Sequence, residues 1–562
     1  MSHDPGGPSS AALALAEQLG LSFTVADVLC RRGFGADQRT ERFLAPRLAE
    51  LTPPAELAGF APAVQRLAQA IRGDERIVVF GDYDCDGVTS VAVVTEVVRA
   101  LGGRVVPLLA NRFDGGYGLS DRAVERALCE SPAVLVACDC GSTDQSRVAR
   151  ARARGVDVVI VDHHEVPEDP PRPNAFINPQ QPSCGFPYKG LATCGLALLL
   201  AAGLRRELGA DLDVRQWLDL VAIGTVADVA PLDGDNRVLV RAGLARLQQS
   251  ARPGLRALLG RLKRGRSLAV TAELVAFQIA PRLNAPGRLG DPRVALELLL
   301  ASDDVRALQS LDRVEQAVAE RRAIQSRMLA EATAEIVKAD YPLDGGLLLA
   351  GTDWHPGVVE IVAGRLAAQY GAPSIAIALE GETGRGSARA PAGFDLYEAL
   401  SECRPHLVSF GGHRAAAGVE VRADQIDRLR GRWHEVCQRQ RTAVGLAELR
   451  LLPEARLDAR DDLAQVVADL ERFEPCGQGN PAPLLLLAPV TVRSARAVKT
   501  HLKLELTWGA RQLSGFAPDR AADAPEIDRR EVALVGRVRR DHWRGGDAVE
   551  VLVEGWTPLS SG

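Results

Sequence analysis

Three short stretches of acids and imidazoles carry the residue types that could do chemistry. Gly81-Asp82-Tyr83-Asp84-Cys85-Asp86-Gly87 places carboxylates at i, i+2 and i+4, and an extended segment would point all three the same way. Cys138-Asp139-Cys140-Gly141 adds a carboxylate, and Asp162-His163-His164 adds another together with two imidazoles. A further acid, Asp228, lies in the stretch GTVADVAPL. Gathered without cations, these carboxylates would repel one another severely. Two divalent ions relieve that repulsion. Carboxylates with one or two imidazoles suit Mn²⁺ especially, and Mg²⁺ is accommodated because oxygen donors dominate.

The elements that must position these groups form an α/β pattern. Near-continuous Val/Ile runs at 77–80, 133–137 and 156–161 each end on one of the clusters. Such runs mark strands buried on both faces of a parallel sheet. In a parallel sheet all three clusters emerge at one edge, where ligands usually bind. A further strand over 104–109 and helices over 88–101, 121–129 and 144–154 complete the pattern, and 213–245 is predicted to be helical and to pack under the sheet. The charged, helix-periodic stretch 303–339 has no internal Gly or Pro and is long enough to bridge two lobes. A second α/β pattern follows, with strands at 346–350 and 374–378, a helix over 357–370, and a Gly-rich ending, SFGGHRAAAG. After about residue 450 the chain changes to short alternating strands (484–497, 501–508, 511–516, 532–540, 548–555). That spacing predicts a small barrel of the oligonucleotide-binding type.

Composition narrows the class. The 562 residues call for several domains, and 46% apolar with 25% charged residues excludes wholesale disorder. Aromatics at 4% argue against a broad stacking surface. The longest nearly apolar stretch, 191–204, falls short of the ~20 residues that a membrane span needs, so it reads as a buried helix and no membrane segment is expected. The polar start MSHDPGGPSS lacks a signal-peptide layout, which places the protein in the cytoplasm. Ten cysteines without a C-x-x-C pair suit free thiols better than a disulfide scaffold or a structural zinc. The net charge of −5 discourages a nucleic-acid partner at first sight. Residues 251–290, however, hold Arg252, Arg256, Arg261, Lys263, Arg264, Arg266, Arg282 and Arg288 against the single acid Glu273. Beside an anion-processing site, that run would form an electrostatic footprint.

Taken in order, DYDCDG, DCG, DHH and GTVAD resemble the motifs of the DHH phosphoesterase superfamily. GRGSARA and FGGHRAAAG resemble its companion DHHA1 domain. NRFDGGYGL (111–119), DVAPLDGDNR (228–237), APRLNAPGRLGDP (280–292), WHPGVVEIVAGRL (354–366) and FEPCGQGNPAP (473–483) make the chain similar to RecJ-type single-strand-specific 5′-exonucleases over about residues 50–560. The resemblance implies a DHH parallel-sheet domain joined by a long helix to a second α/β domain of DHHA1 type, plus a C-terminal OB-like β-barrel. The expected division is an N-terminal segment 1–49, catalytic domain 50–300, connecting helix 301–340, substrate-binding domain 341–445 and nucleic-acid-binding domain 446–562, with no further C-terminal module. Two departures, Ala390 where a serine is common and Ala192-Thr193-Cys194 in place of a more Gly-rich stretch, touch no metal ligand.

The same resemblance implies roles. One metal goes to Asp82, Asp84 and Asp139, and the other to Asp86, Asp139, His163 and Asp228, with Asp139 bridging. Asp162 orients an imidazole and His164 faces the substrate phosphate. Arg112, Ser387, Arg389, His413 and the backbone of Gly411 and Gly412 are candidates for gripping a terminal 5′-phosphate. Tyr117 is a candidate for stacking a base. Arg282, Asn284 and Arg288, read as lying in a loop with two prolines, would track the following phosphates, and the barrel would guide the strand. The implied activity is 5′ to 3′ degradation of single-stranded DNA to 5′-mononucleotides in DNA repair and recombination, by a monomer. A single-strand-binding protein and a helicase are the implied protein partners. Two other readings remain: a related enzyme, either a phosphodiesterase acting on short oligonucleotides or a cyclic dinucleotide or a pyrophosphatase, which would need neither 450–562 nor 280–292, and a non-catalytic DNA-binding scaffold, which would have lost ligands that here are all filled.

Overall fold

The computed structural model describes residues 4–116, 118–263, 269–339, 341–444, 451–541 and 548–559. Its first sheet runs β1 (Arg76–Gly81), β2 (Arg104–Leu109), β3 (Val134–Cys138), β4 (Asp157–Val161) and β5 (Ala175–Ile177) in the order β2-β1-β3-β4-β5, with every pair parallel. Alternate residues serve opposite faces. Ile77 and Val79 join one core, whereas Val78 and Phe80 join another, which is why these strands read as continuous apolar runs. The helices Cys85–Ala100, Thr193–Leu208, Leu218–Ala227 and Gly234–Gln248 supply the first core. Asp121–Cys129 and Gln145–Ala153 cover the other face. The apolar stretch at 191–204 is a buried helix. Strand β5 escaped notice because three residues carry too little pattern.

The connecting helix, Asp304–Lys338, is 35 residues long. Leu311, Val314 and Val318 on its first half belong to the first core, and Met328, Ala332 and Ile336 belong to that of the second α/β domain. One rigid rod thus fixes both lobes. The second sheet contains β6 (Leu347–Gly351), β7 (Ser374–Glu380), β8 (Thr383–Arg389), β9 (Ser409–Gly412) and β10 (Ala416–Arg422) in the order β6-β7-β8-β10-β9; only β6 and β7 pair in parallel.

The third sheet holds β11 (Ala455–Arg456), β12 (Leu485–Val498), β13 (His501–Trp508), β14 (Arg511–Ala517), β15 (Glu531–Arg540) and β16 (Val549–Pro558). Pairing of β12 with β15 closes five of these strands into a barrel, as the alternating pattern predicts. The N-terminal helices Ser10–Leu19 and Phe23–Arg31 share that barrel's core. The Asp461 carboxylate accepts from Phe23 N at 2.7 Å and Thr24 N at 2.8 Å, and Asp469 accepts from Ser22 N at 2.8 Å. No sequence pattern announces this union of the two chain ends.

Three expectations need correction. The 82–86 segment is not extended: Asp84 accepts from Gly87 N and caps a helix that begins at Cys85, putting Asp86 in its first turn. The 280–292 stretch is not a loop, since Ala280–Leu289 is a helix preceded by a π-helical turn, Val275–Ile279. Pro281 follows directly on that π-helical turn, and Pro286 lies inside the helix. Nor is the described part of 251–290 an uncompensated basic strip, since five of its arginines are paired with acids. Arg252 pairs with Glu96, Arg256 with Asp304, Arg261 with Asp312, Arg282 with Glu315 and Arg288 with Glu360; Arg264 and Arg266 lie outside the described residues. All ten cysteines are free. Among the described residues no single helix is long and apolar enough to cross a membrane.

Candidate metal centre and substrate cleft

Strand register brings the acids together. Gly81 pairs with Cys138 and Cys138 with Val161, so the next residues, Asp82, Asp139 and Asp162, leave the sheet side by side. Asp139 does so at φ 60°, a left-handed conformation that Asp tolerates better than most residues and that recurs at functional sites. Asp86 accepts from Thr193 N at 2.8 Å and Cys194 N at 3.0 Å, at the N-terminus of Thr193–Leu208, where a helix favours an anion. Thr193 Oγ1 donates to Asp139 Oδ1 at 3.1 Å. Gly224, in the GTVAD stretch, lets the Leu218–Ala227 helix close in. A Cβ there would lie 2.3 Å from Thr89 Oγ1 and 2.9 Å from Asp86 Oδ1. That close approach delivers Asp228 at the helix's C-terminal end.

Two donor groups converge. Ligand atoms of Asp86, His163 and Asp228 lie within 4.8 Å of one another, as do those of Asp139, His163 and His164. His163 Nε2 is 3.4 Å from Asp139 Oδ1 and 3.7 Å from Asp228 Oδ2. Neither it nor Asp82 Oδ2, both buried, has a hydrogen-bond partner among the described residues. Asp82 Oδ1 accepts from Gly118 N at 3.1 Å, and Asp84 Oδ1 is engaged in its cap.

The electrostatics match a cation site. Burial and then Asp84 push the Asp82 carboxyl up. Burial, then Asp84 and Asp86, do the same to Asp139, and burial, then Asp86 and Asp84, to Asp228. Burial keeps His163 below the usual imidazole range, the neutral form that binds metals. Asp162 behaves differently. Burial alone would raise its carboxyl, but the hydrogen bond and charge of His164 bring it below the ordinary range. Against its own burial, the bond to Asp162 pushes His164 up to about 9. A cluster of repelling carboxylates with unpartnered buried donor atoms fits divalent cations.

The substrate candidates divide into those the structure leaves available and those it does not. Arg112 lies over the Tyr83 ring at 4.6 Å, and its Nε has no partner among the described residues. Arg389 donates to Ala388 O at 2.8 Å and Ser387 Oγ at 3.3 Å and pairs with Glu360 at 2.7 Å. Cross-strand register sets Ser387, Gly418 and Gly411 in one row and Gly412 opposite Ala417. His413 is exposed, and its backbone N–H is spent on Ala416 O at 2.8 Å. Arg282 is buried and bonded to Glu315 and Gln278. Asn284 Oδ1 is buried without a partner among the described residues. Tyr117 lies outside the described residues. Glu360 was missed as an individual residue, although the WHPGVVEIVAGRL stretch contains it. Across the lobe boundary Phe113 meets His355 edge-on, with ring centroids 5.6 Å apart.

Comparison with known proteins decides the family. The model of the DHH family N-terminal domain matches residues 76–225, that of the DHHA1 domain 344–439 and that of the RecJ OB domain 454–555. The single-stranded-DNA-specific exonuclease RecJ of Dickeya dadantii is 36% identical over 90% of this chain and 91% of its own length. The chain belongs to the RecJ family. Among solved RecJ structures, that from Thermus thermophilus in complex with Mn²⁺ matches with a TM-score of 0.80 at 29% identity, covering 99% of this chain and 79% of that one. The complex of the same protein with Mg²⁺ matches with a TM-score of 0.75 at 28% identity, covering 99% and 78%. The parallel sheet, the second α/β domain and the closed barrel are thus the three parts of a RecJ architecture.

Proposed function

We propose that this chain is a metal-dependent exonuclease that degrades single-stranded DNA from the 5′ end and releases 5′-mononucleotides. The observation that carries this reading is the level exit of Asp82, Asp139 and Asp162 from parallel strands, closed by His163 and Asp228, in a RecJ-family chain. Asp82, Asp84 and Asp139 would hold one Mn²⁺ or Mg²⁺, and Asp86, Asp139, His163 and Asp228 the other. When bound, such a pair activates water and neutralises charge on the phosphoryl oxygens. Asp162 fixes the His164 ring through Nδ1 at 2.7 Å, and His164 faces the scissile phosphate as a cationic donor. Arg112, Arg389, Ser387 and the Gly411–His413 turn receive the terminal phosphate and so set polarity. The barrel, with the N-terminal helices built onto it, leads the strand in.

The reading extends to a cytoplasmic monomer serving DNA repair and recombination alongside a single-strand-binding protein and a helicase. The working domains are 50–300, 341–445 and 446–562, with 301–340 as the link and 1–49 joined to the last. The test is digestion of end-labelled single strands, with and without a 5′-phosphate, in Mn²⁺, Mg²⁺ and chelator, with Asp139→Ala as control. Mononucleotides released from the 5′ end, and lost with chelator or Asp139→Ala, are expected. Preference for dinucleotides over long strands would overturn the proposal.

A further inference from the structure

Glu360 stands where the two lobes meet. It is the second residue of the Val359–Tyr370 helix, and its carboxylate is shared by two arginines from different lobes. Oε2 lies 2.9 Å from Arg288 Nη1 of the first lobe. Oε1 lies 2.7 Å from Arg389 Nη2 on β8 of the second. The backbones are equally close, since a Cβ on Gly357 would come within 1.9 Å of Arg288 O. The turn 357–360 therefore grips Arg288 by main chain and side chain together.

Charge gives this arrangement a direction. Burial alone would raise the Glu360 carboxyl, but the charges of Arg288 and Arg389, with a smaller effect of Arg112, hold it at about 2. It is ionised whenever the protein is folded near neutral pH. The two guanidiniums in contact with one carboxylate leave one positive charge over, and Arg112, whose charge also acts on Glu360 from outside contact distance, adds a second. A terminal phosphomonoester carries about −1.5 to −2 at pH 7, whereas an internal phosphodiester carries a single negative charge and a 5′-hydroxyl none. Oε2 engages one Nη of Arg288 and Oε1 one Nη of Arg389, and a guanidinium has five N–H donors, so donors remain for a phosphate.

We propose that Glu360 is the positioning residue of the terminal-phosphate pocket: it clamps Arg288 and Arg389 side by side across the lobe boundary and sets the pocket's charge to that of a phosphomonoester. This assigns Arg288 to the strand's end rather than to its downstream phosphates. It also makes preference for a 5′-phosphorylated end a property of a residue that does not itself touch the phosphate. The inference rests on the reading above that Arg112 and Arg389 receive a 5′-phosphate.

Steady-state kinetics of the full chain with Mn²⁺, on one single-stranded sequence carrying either a 5′-phosphate or a 5′-hydroxyl, tests it. Glu360→Gln keeps the shape and removes the charge. KM for the phosphorylated strand is expected to rise roughly tenfold, the scale of a lost charge-assisted hydrogen bond, with a smaller change in kcat and little change in KM for the hydroxyl strand. An unchanged preference, or tighter binding of the phosphorylated strand, would show a bystander or a competitor and overturn the proposal. A wild-type chain without preference would instead overturn the 5′-phosphate reading on which it rests. If thermal melting shows Glu360→Gln unfolded, Glu360→Asp keeps the charge but cannot span both forks, and the same rise in KM is expected. Failure of both variants to fold would make Glu360 a structural tie and sink the inference.

Discussion

Asp162 Oδ1 lies 2.7 Å from His164 Nδ1 while also accepting from the backbone N–H groups of His163 at 2.8 Å and His164 at 3.3 Å. One carboxylate thus fixes the turn that aims both imidazoles, and it does so from the strand end that levels it with Asp139. Its other oxygen accepts from Ser142 N at 3.1 Å, which ties the Asp139 loop to the same anchor.

Asp162→Asn separates this anchoring from direct metal binding. The amide keeps a carbonyl for the backbone donors but loses the charge that holds His164 cationic. Partners hydrogen-bonded to a metal ligand typically carry 10- to 100-fold effects, so kcat is expected to fall by roughly that factor. Mn²⁺ titration by calorimetry is expected to show two ions still bound. Loss of both ions in that titration would instead make Asp162 a ligand.

The carboxylate cluster should destabilise the metal-free chain. The folded-state carboxyls of Asp82, Asp139 and Asp228 are raised above their ordinary range, so the folded state holds protons that the unfolded state has released. Their contribution to stability is fully present below the ordinary carboxylate range and is lost as pH rises through the raised values. In chelator, the melting temperature is therefore expected to fall as pH climbs from about 4 into the alkaline range. Asp139→Asn, which removes a carboxyl whose charged form is penalised by burial and by Asp84 and Asp86, should melt higher than wild type in chelator at neutral pH. With Mn²⁺ the order should reverse, because only the wild type gains the full stabilisation by a bound ion. Differential scanning calorimetry with and without Mn²⁺ reads both effects, and an apo wild type insensitive to pH would count against the clustered acids.

How far the sequence led depends on which interactions carry the pattern. The buried parallel strands were legible because each face of β1 and β3 meets its own core, leaving no polar alternation to confuse them. Asp139 and Asp162 were legible because they follow such strands. Asp86 and Asp84 were assigned to the right cluster for the wrong geometry, since a helix cap needs only one side-chain bond and interrupts an extended reading. The arginines of 251–290 misled because their partners, such as Glu315 and Glu360, come from elements far along the chain. The same limit hid the joining of residues 10–31 to the barrel, which rests on Asp461 and Asp469 accepting from backbone N–H groups more than 400 positions away.

Arg237 makes the last of these long-range connections testable. Its side chain, 4% exposed, donates to Phe43 O at 2.9 Å, Phe473 O at 2.8 Å, Pro475 O at 3.3 Å and Arg472 O at 2.9 Å. The Phe43 ring lies 4.0 Å from its guanidinium. The residue therefore fastens the catalytic lobe at once to the N-terminal segment and to the FEPCGQGN stretch of the C-terminal domain. Burial lowers its pKa to about 10, still above neutral pH, so the cation persists there, held by carbonyl oxygens. Arg237→Ala leaves those carbonyls facing a cavity, at a cost of at least about 3 kcal/mol. Arg237→Lys should restore little, because one ammonium cannot reach carbonyls spread around a planar fork. Calorimetry is expected to resolve an earlier transition for the barrel and its N-terminal helices, with hydrogen exchange rising in β12 and β15 before it rises in β1 and β3. Long single strands should bind more weakly to the variant, while turnover of strands too short to reach the barrel stays closer to wild type. A single transition at the wild-type temperature would show that Arg237 does not hold the two ends of the chain to the catalytic lobe.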